Sequence, residues 1–122
     1  MRHHHFIAAG LAASATLLLA GAASAHAHLV KSTPEANATV AAPKTISLTF
    51  NEKLTPAFSK FELVMPTMSN MAVSVKTAVS KDGLTITGTP TAPLMPGVYK
   101  INWHAASSDG HKMDGAVDFT VK

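Results

Sequence analysis

Ser107-Ser108-Asp109-Gly110-His111 sets a carboxylate and an imidazole two residues apart, late in the chain. Both groups ligate metal ions, but two ligands rarely suffice. The others are sought at the opposite end of the sequence, in His26-Ala27-His28. If His26 begins the mature protein, its α-amine and its imidazole close a chelate ring from a single residue. With His111 the set holds three nitrogens, and Asp109 adds a charged oxygen. Nitrogen and carboxylate donors in a flattened arrangement suit Cu(II), which also heads the affinity order of the divalent first-row metals. An Asp in Ser-Asp-Gly is also a common turn-capping residue. The coincidence with an N-terminal histidine favours the ligand reading of Asp109 and His111.

His28 offers a competing mode. An amine at the first residue and an imidazole at the third enclose Cu(II) together with two deprotonated backbone amides. Ala27 is not proline, so its amide is available for this, although the N-terminus would have to leave the fold. His28 is therefore carried as an additional candidate ligand. A second constellation is Met65-Pro66-Thr67-Met68-Ser69-Asn70-Met71, with three thioethers at three-residue spacing. Thioethers are soft donors and suit Cu(I). Methionines also fill gaps in cores, but a short, polar segment broken by Pro66 does not read as core. Met65, Met68 and Met71 are thus a candidate Cu(I) set, while the unclustered Met95 and Met113 read as packing residues.

The N-terminal placement of His26 depends on the first 25 residues. Arg2 and His3-His4-His5 make a short polar start, Phe6 to Gly21 is small and apolar, and Ala23-Ser24-Ala25 is an A-x-A cleavage site. This is the pattern of a secretory signal peptide, in which the three histidines belong to the leader. The apolar stretch is short and no basic stop-transfer flank follows, which argues against a membrane anchor. Cleavage after Ala25 leaves 97 of the 122 residues, beginning with His26. Reading Ala25-His26-Ala27 as the site instead would leave His28 first; the former is favoured.

The mature part, 26–122, is expected to be one domain. It has nine lysines, no arginine and seven acids, a balance too even and too scattered to suggest nucleic acid. Cysteine is absent, which removes disulfides and thiolate metal sites together. An exported domain of this size must therefore rest on one apolar core.

That core is legible as alternation. Ile46, Leu48 and Phe50 recur at every second residue, as do Tyr99, Ile101 and Trp103, and Val117, Phe119 and Val121. The Asp109–His111 loop falls between the last two series. Leu29–Ser32, Phe61–Met65, Ala72–Val79 and Leu84–Thr87 complete about seven strands, with turns at Thr33-Pro34 and Lys81-Asp82-Gly83. Residues 35–43, Pro66–Asn70 and the proline-rich Thr89–Gly97 read as loops. The expected fold is all-β, a Greek-key β-sandwich or barrel. Its core should hold Ile46, Leu48, Phe50, Phe61, Leu63, Val73, Val75, Leu84, Ile86, Tyr99, Ile101, Trp103, Val117, Phe119 and Val121. His104 alternates against Trp103 and should face outward.

These motifs resemble the CopC/PcoC family of periplasmic copper-resistance proteins. The resemblance rests on the leader, His26 shortly before Leu29-Val30, and Ser32-Thr33-Pro34. It continues through Leu48-Thr49-Phe50-Asn51-Glu52, Leu63-Val64-Met65, Pro96-Gly97-Val98-Tyr99-Lys100-Ile101-Asn102-Trp103 and Ser107-Ser108-Asp109-Gly110-His111. It spans essentially the whole mature chain, and the N-terminal His with Ser-Asp-Gly-His is its most specific part. It implies a cupredoxin- or immunoglobulin-like β-sandwich that carries copper in the periplasm. It implies Cu(II) at His26, Asp109 and His111. It also implies Cu(I) at a methionine loop, matched by Met65, Met68 and Met71, though this loop is shorter and has no histidine. Glu52 falls in a Phe-x-Glu stretch and would support a ligand. The expected partners are copper ions and, as recipient, an inner-membrane copper importer or another periplasmic copper protein. A monomer with no membrane anchor is expected.

Two other classes stand beside this one. An N-terminal histidine brace also occurs in polysaccharide-cleaving copper monooxygenases, which need a broad, often aromatic, substrate face. The mature chain has one Trp and one Tyr, and alternation turns both inward. The other class is an immunoglobulin-like structural module that binds no metal, which a copper titration would separate from the rest.

Overall fold

The alternating series fold as the strands they predict, and they do so in two sheets. The computed structural model describes residues 27–122; the expected leader, residues 1–25, and His26 lie outside the described residues. The strands are β1 (Leu29–Thr33), β2 (Thr39–Val40), β3 (Ile46–Phe50), β4 (Lys60–Met65), β5 (Met71–Val73), β6 (Val75–Val79), β7 (Thr85–Pro90), β8 (Gly97–Ala106) and β9 (Lys112–Val121). One sheet has the order β1-β3-β7-β6, the other β2-β9-β8-β4-β5. Single 3₁₀ turns occupy Pro56–Phe58 and Pro66–Met68. Among the described residues no helix is long and apolar enough to cross a membrane.

The core lies between the sheets. Ile46, Leu48 and Phe50 enter it from one side, and Phe61, Leu63, Tyr99, Ile101, Trp103, Val117, Phe119 and Val121 from the other. Each alternates with solvent-facing neighbours, the signature of sheets buried on one face only. The ring of Trp103 meets Phe50 edge-on at 5.1 Å, and Tyr99 stacks on Phe119 at 5.3 Å. Two glycines make room for the largest rings. A Cβ on Gly88 would lie 2.0 Å from Phe61 Cζ, and one on Gly115 would lie 2.2 Å from Trp103 Cζ2.

The structure departs from the sequence reading in strand number and connections. The run Ala72–Val79 is not one strand: β5 pairs with β4 in one sheet, and β6 pairs with β7 in the other. Only Ser74 separates them, so the chain crosses between the sheets there. Alternation continues through the crossing because both halves face the same core. Strand β2, inside the expected loop 35–43, pairs in parallel with Thr120 and Val121. It is too short for any periodicity to reveal. Strand β7 runs on to Pro90, and β9 begins at Lys112, five residues before the alternation of Val117, Phe119 and Val121. Of the expected core, Val73 and Val75 are only partly buried and Leu84 is outside the cluster, while Ala27, Leu54, Met65, Leu94 and Ala105 belong to it.

Candidate metal centre

Strands β8 and β9 pair along their full length, from Gly97–Val121 to Ala106–Lys112. Their connection, residues 107–111, is therefore gripped at both ends. Ser107 is buried, and its N–H donates to the His111 carbonyl at 2.9 Å. The Gly110 N–H donates to the Ser107 carbonyl, also at 2.9 Å, and Gly110 has φ +92°, which favours glycine. The loop closed this way brings Asp109 and His111 together. Asp109 Oδ2 lies 2.9 Å from His111 Nδ1. Its Oδ1 accepts from the Ser107 hydroxyl and, at 3.2 Å, from the His111 N–H. With Nδ1 turned to the carboxylate, Nε2 is the imidazole nitrogen turned away from it. A carboxylate in this position orients a ligating histidine.

The Ser107 hydroxyl, then the His111 ring and amide, hold the Asp109 carboxyl at a pKa of about 2, well below the usual carboxylate range. The metal-free protein should therefore keep Asp109 ionised through mildly acidic pH, and carboxyl ¹³C resonances followed by NMR should give a midpoint near 2. Because the folded pKa is depressed, Asp109 contributes stability above the unfolded carboxylate pKa of about 3.9, and this is lost as pH falls through the folded value. Asp109→Asn should thus destabilise the protein above about pH 4 and progressively less toward pH 2. A cost independent of pH over that span would contradict these contacts.

The start of the described chain is tied to the same end of the sandwich. Ala27 is fully buried in the core cluster. The His28 N–H donates to Asn51 Oδ1 at 2.5 Å, and the Asn51 N–H donates to the His28 carbonyl at 3.1 Å. Two residues on, the Lys53 carbonyl accepts from the Ser108 N–H at 3.1 Å, and Leu54 bridges to Ser107. Along the chain, positions 51 and 53 are separated by at most about 7 Å. Residues 27–28 and the Asp109–His111 loop are thereby held on one three-residue strap, with Glu52, half-buried, at its centre. His28 itself is exposed. Among the described residues no three His, Asp or Glu side chains gather closely enough to hold an ion; the third residue expected, His26, lies outside them.

The methionines are distributed differently from the sequence expectation. Met65 continues the inward series of Phe61 and Leu63 and is only 2% exposed, so it is a core residue. Met68 ends the 3₁₀ turn and is 47% exposed, and Met71 is 40% exposed and is the register partner of Met65. Met113 is partly buried against the core, as expected, but Met95 is exposed, not packed. His104 faces outward, as its alternation predicts. Its Nδ1 lies 2.6 Å from Asp114 Oδ1 and its Nε2 3.6 Å from Glu62 Oε2, a row across β4, β8 and β9 that sequence spacing does not reveal. The imidazole sits between the two carboxylates, an arrangement that braces the three strands.

The CopC domain family matches residues 29–122, nearly all of the described chain. The chain belongs to the CopC family. The relatives agree. Copper resistance protein C of Xanthomonas campestris pv. juglandis is 43% identical over 113 residues, 88% of this chain and 89% of that protein. The crystal structure of PcoC, a methionine-rich copper resistance protein from Escherichia coli, is 41% identical and superposes with a TM-score of 0.73, covering 80% of this chain and 99% of that one. CopC from Methylosinus trichosporium OB3b is 31% identical with a TM-score of 0.72, covering 80% and 94%. The two-sheet sandwich is thus the CopC fold, and copper-resistance copper binding is the function the family carries.

Proposed function

We propose that this CopC-family chain is an exported copper carrier of the periplasm that holds one Cu(II) at its mature N-terminus. The leader is removed after Ala25. The α-amine and imidazole of His26, with Asp109 and His111, hold the ion. The observation that carries this reading is the strap 51–53, which hydrogen-bonds to residue 28 on one side and to the Asp109–His111 loop on the other. Ala27, the residue that follows His26 in the chain, is fully buried. His28, exposed beside it, is the candidate additional ligand. Cu(I) is assigned to the methionine-bearing segment 65–71. The recipient is a membrane copper importer or another periplasmic copper protein. Carriage rather than catalysis is supported by the burial of Trp103 and Tyr99, at 7% and 1% exposure, which leaves neither for a substrate face.

The test is the mass of the exported protein with and without Cu(II). A chain beginning at His26 that takes up one ion is expected. The ligands shed protons as they bind, so affinity must fall with pH. His111→Ala should lower the affinity and, in paired titrations at about pH 5, where an ordinary imidazole starts protonated, lower the number of protons released by about one. An unchanged proton count would remove His111 from the site.

A further inference from the structure

The thioethers brought together by the fold are not the three that sequence spacing selects. Met65 and Met71 are directly opposed across β4 and β5, so their side chains leave the same face with Cβ atoms about 5 Å apart. Met68 lies at the turn beyond them and takes no part in the cleft beside this pair. That cleft, of about 250 Å³, is lined by Met65, Met71, Leu94, Met95 and Tyr99 among others. Met95 stands 52% exposed at its rim, while the neighbouring Leu94 is the residue packed into the core.

The cleft is held open by hydrogen bonds at both ends. The Thr91 N–H donates to the Ser74 carbonyl at 3.1 Å, joining the proline-rich segment to the point where the chain changes sheets. The Tyr99 hydroxyl, its ring buried, donates to the Met95 carbonyl at 2.6 Å. Gly97 leaves space for the Met65 side chain, since a Cβ there would come within 2.8 Å of Met65 Cε. So a buried thioether forms the floor, two exposed ones stand at the mouth, and the backbone carrying Met95 is fixed. No charged residue lines the cleft. Neutral, polarisable sulfur donors in such surroundings suit a soft monovalent ion and leave a divalent one uncompensated.

We propose that Met65, Met71 and Met95 form a three-thioether site for a soft monovalent cation, Cu(I) or its redox-stable analogue Ag(I), with Met95 rather than Met68 supplying the third sulfur. This rests on the Cu(I) reading of the methionine segment and changes its ligands. Ag(I) titrated into the purified protein, with methionine methyls labelled in ¹³C, should shift the Met65, Met71 and Met95 resonances together up to one equivalent and leave Met68 in place. Cu(I) competition against a chromophoric chelator should agree. Met71→Leu and Met95→Leu roughly conserve volume at exposed positions, and each should lower Cu(I) affinity by at least about tenfold, the loss seen even for groups that only support a ligand. Met68→Leu should bind as the parent does. If Met95→Leu binds as the parent does and Met68→Leu is weakened, the contiguous segment holds the ion; the proposal fails and the Cu(I) reading stands. If no variant changes affinity and no methyl shifts, both fail.

Discussion

Placing one glycine ahead of His26 is expected to lower Cu(II) affinity by orders of magnitude while leaving every side chain of the site intact. The extension turns the α-amine into a peptide nitrogen, whose lone pair is delocalised into the carbonyl. The chelate ring that His26 would close on its own is then lost. Removing groups that merely support a ligand costs roughly 10–100-fold, so loss of a ligand should cost at least about a hundredfold. A competition titration of the extended and native proteins measures this directly. Thermal unfolding gives a second readout, because an ion that binds only the folded state raises its stability in proportion to ln(1 + [L]/Kd). Cu(II) should raise the melting temperature of the native protein well above that of the extended one. The added glycine brings its own free amine, so protein acetylated at His26, which has none, is the matching control; affinity equal to the native protein's in both would sink the N-terminal model.

Gly88→Ala should be the most disruptive single methyl in the fold. The added Cβ would overlap the Phe61 ring at 2.0, 2.7 and 2.9 Å from three of its atoms. Phe61 is buried, on β4 beside β8, so its ring has no solvent to retreat into. Overpacking a closed core costs about 1–3 kcal/mol and occasionally more. For a domain of this size that corresponds to a fall of roughly 10 °C or more in melting temperature. Pairing the change with Phe61→Leu shortens the obstructing side chain and should recover part of the loss. A Gly88→Ala protein melting with the parent would mean that the ring does not sit against the glycine.

Much of this architecture is legible in the alternation of Ile46, Leu48 and Phe50, of Tyr99, Ile101 and Trp103, and of Val117, Phe119 and Val121. Period-two patterning reports which side chains face the core. It does not report which sheet a strand joins, and so the crossing at Ser74 is invisible in Ala72–Val79. Carried one step further, the alternation of Phe61 and Leu63 reaches Met65, which the structure buries; grouping Met65 with Met68 and Met71 by spacing obscured that. Asp109 and His111 are legible because two residues in one tight loop must stay close. Met95 is not, because the contact between its loop and the β4–β5 hairpin is set by the Tyr99 hydroxyl and the Thr91–Ser74 bond. The Glu62–His104–Asp114 row depends likewise on strand register, which no single segment encodes.

The two-residue strand β2 bears on solubility. Without it, β9 would be a ten-residue open margin carrying Val117, Phe119 and Val121, with unpaired backbone groups able to template a second chain. The segment before and through β2 seals the C-terminal half of that margin. The Asn37 N–H donates to the Asp118 carbonyl, the Thr120 N–H to the Ala38 carbonyl, and the Lys122 N–H to the Val40 carbonyl. The other half guards itself, since Lys112 and Asp114 carry charge there and Gly115 weakens its tendency to pair. In this sandwich a short parallel strap and two charges shield the β9 margin from pairing with another copy.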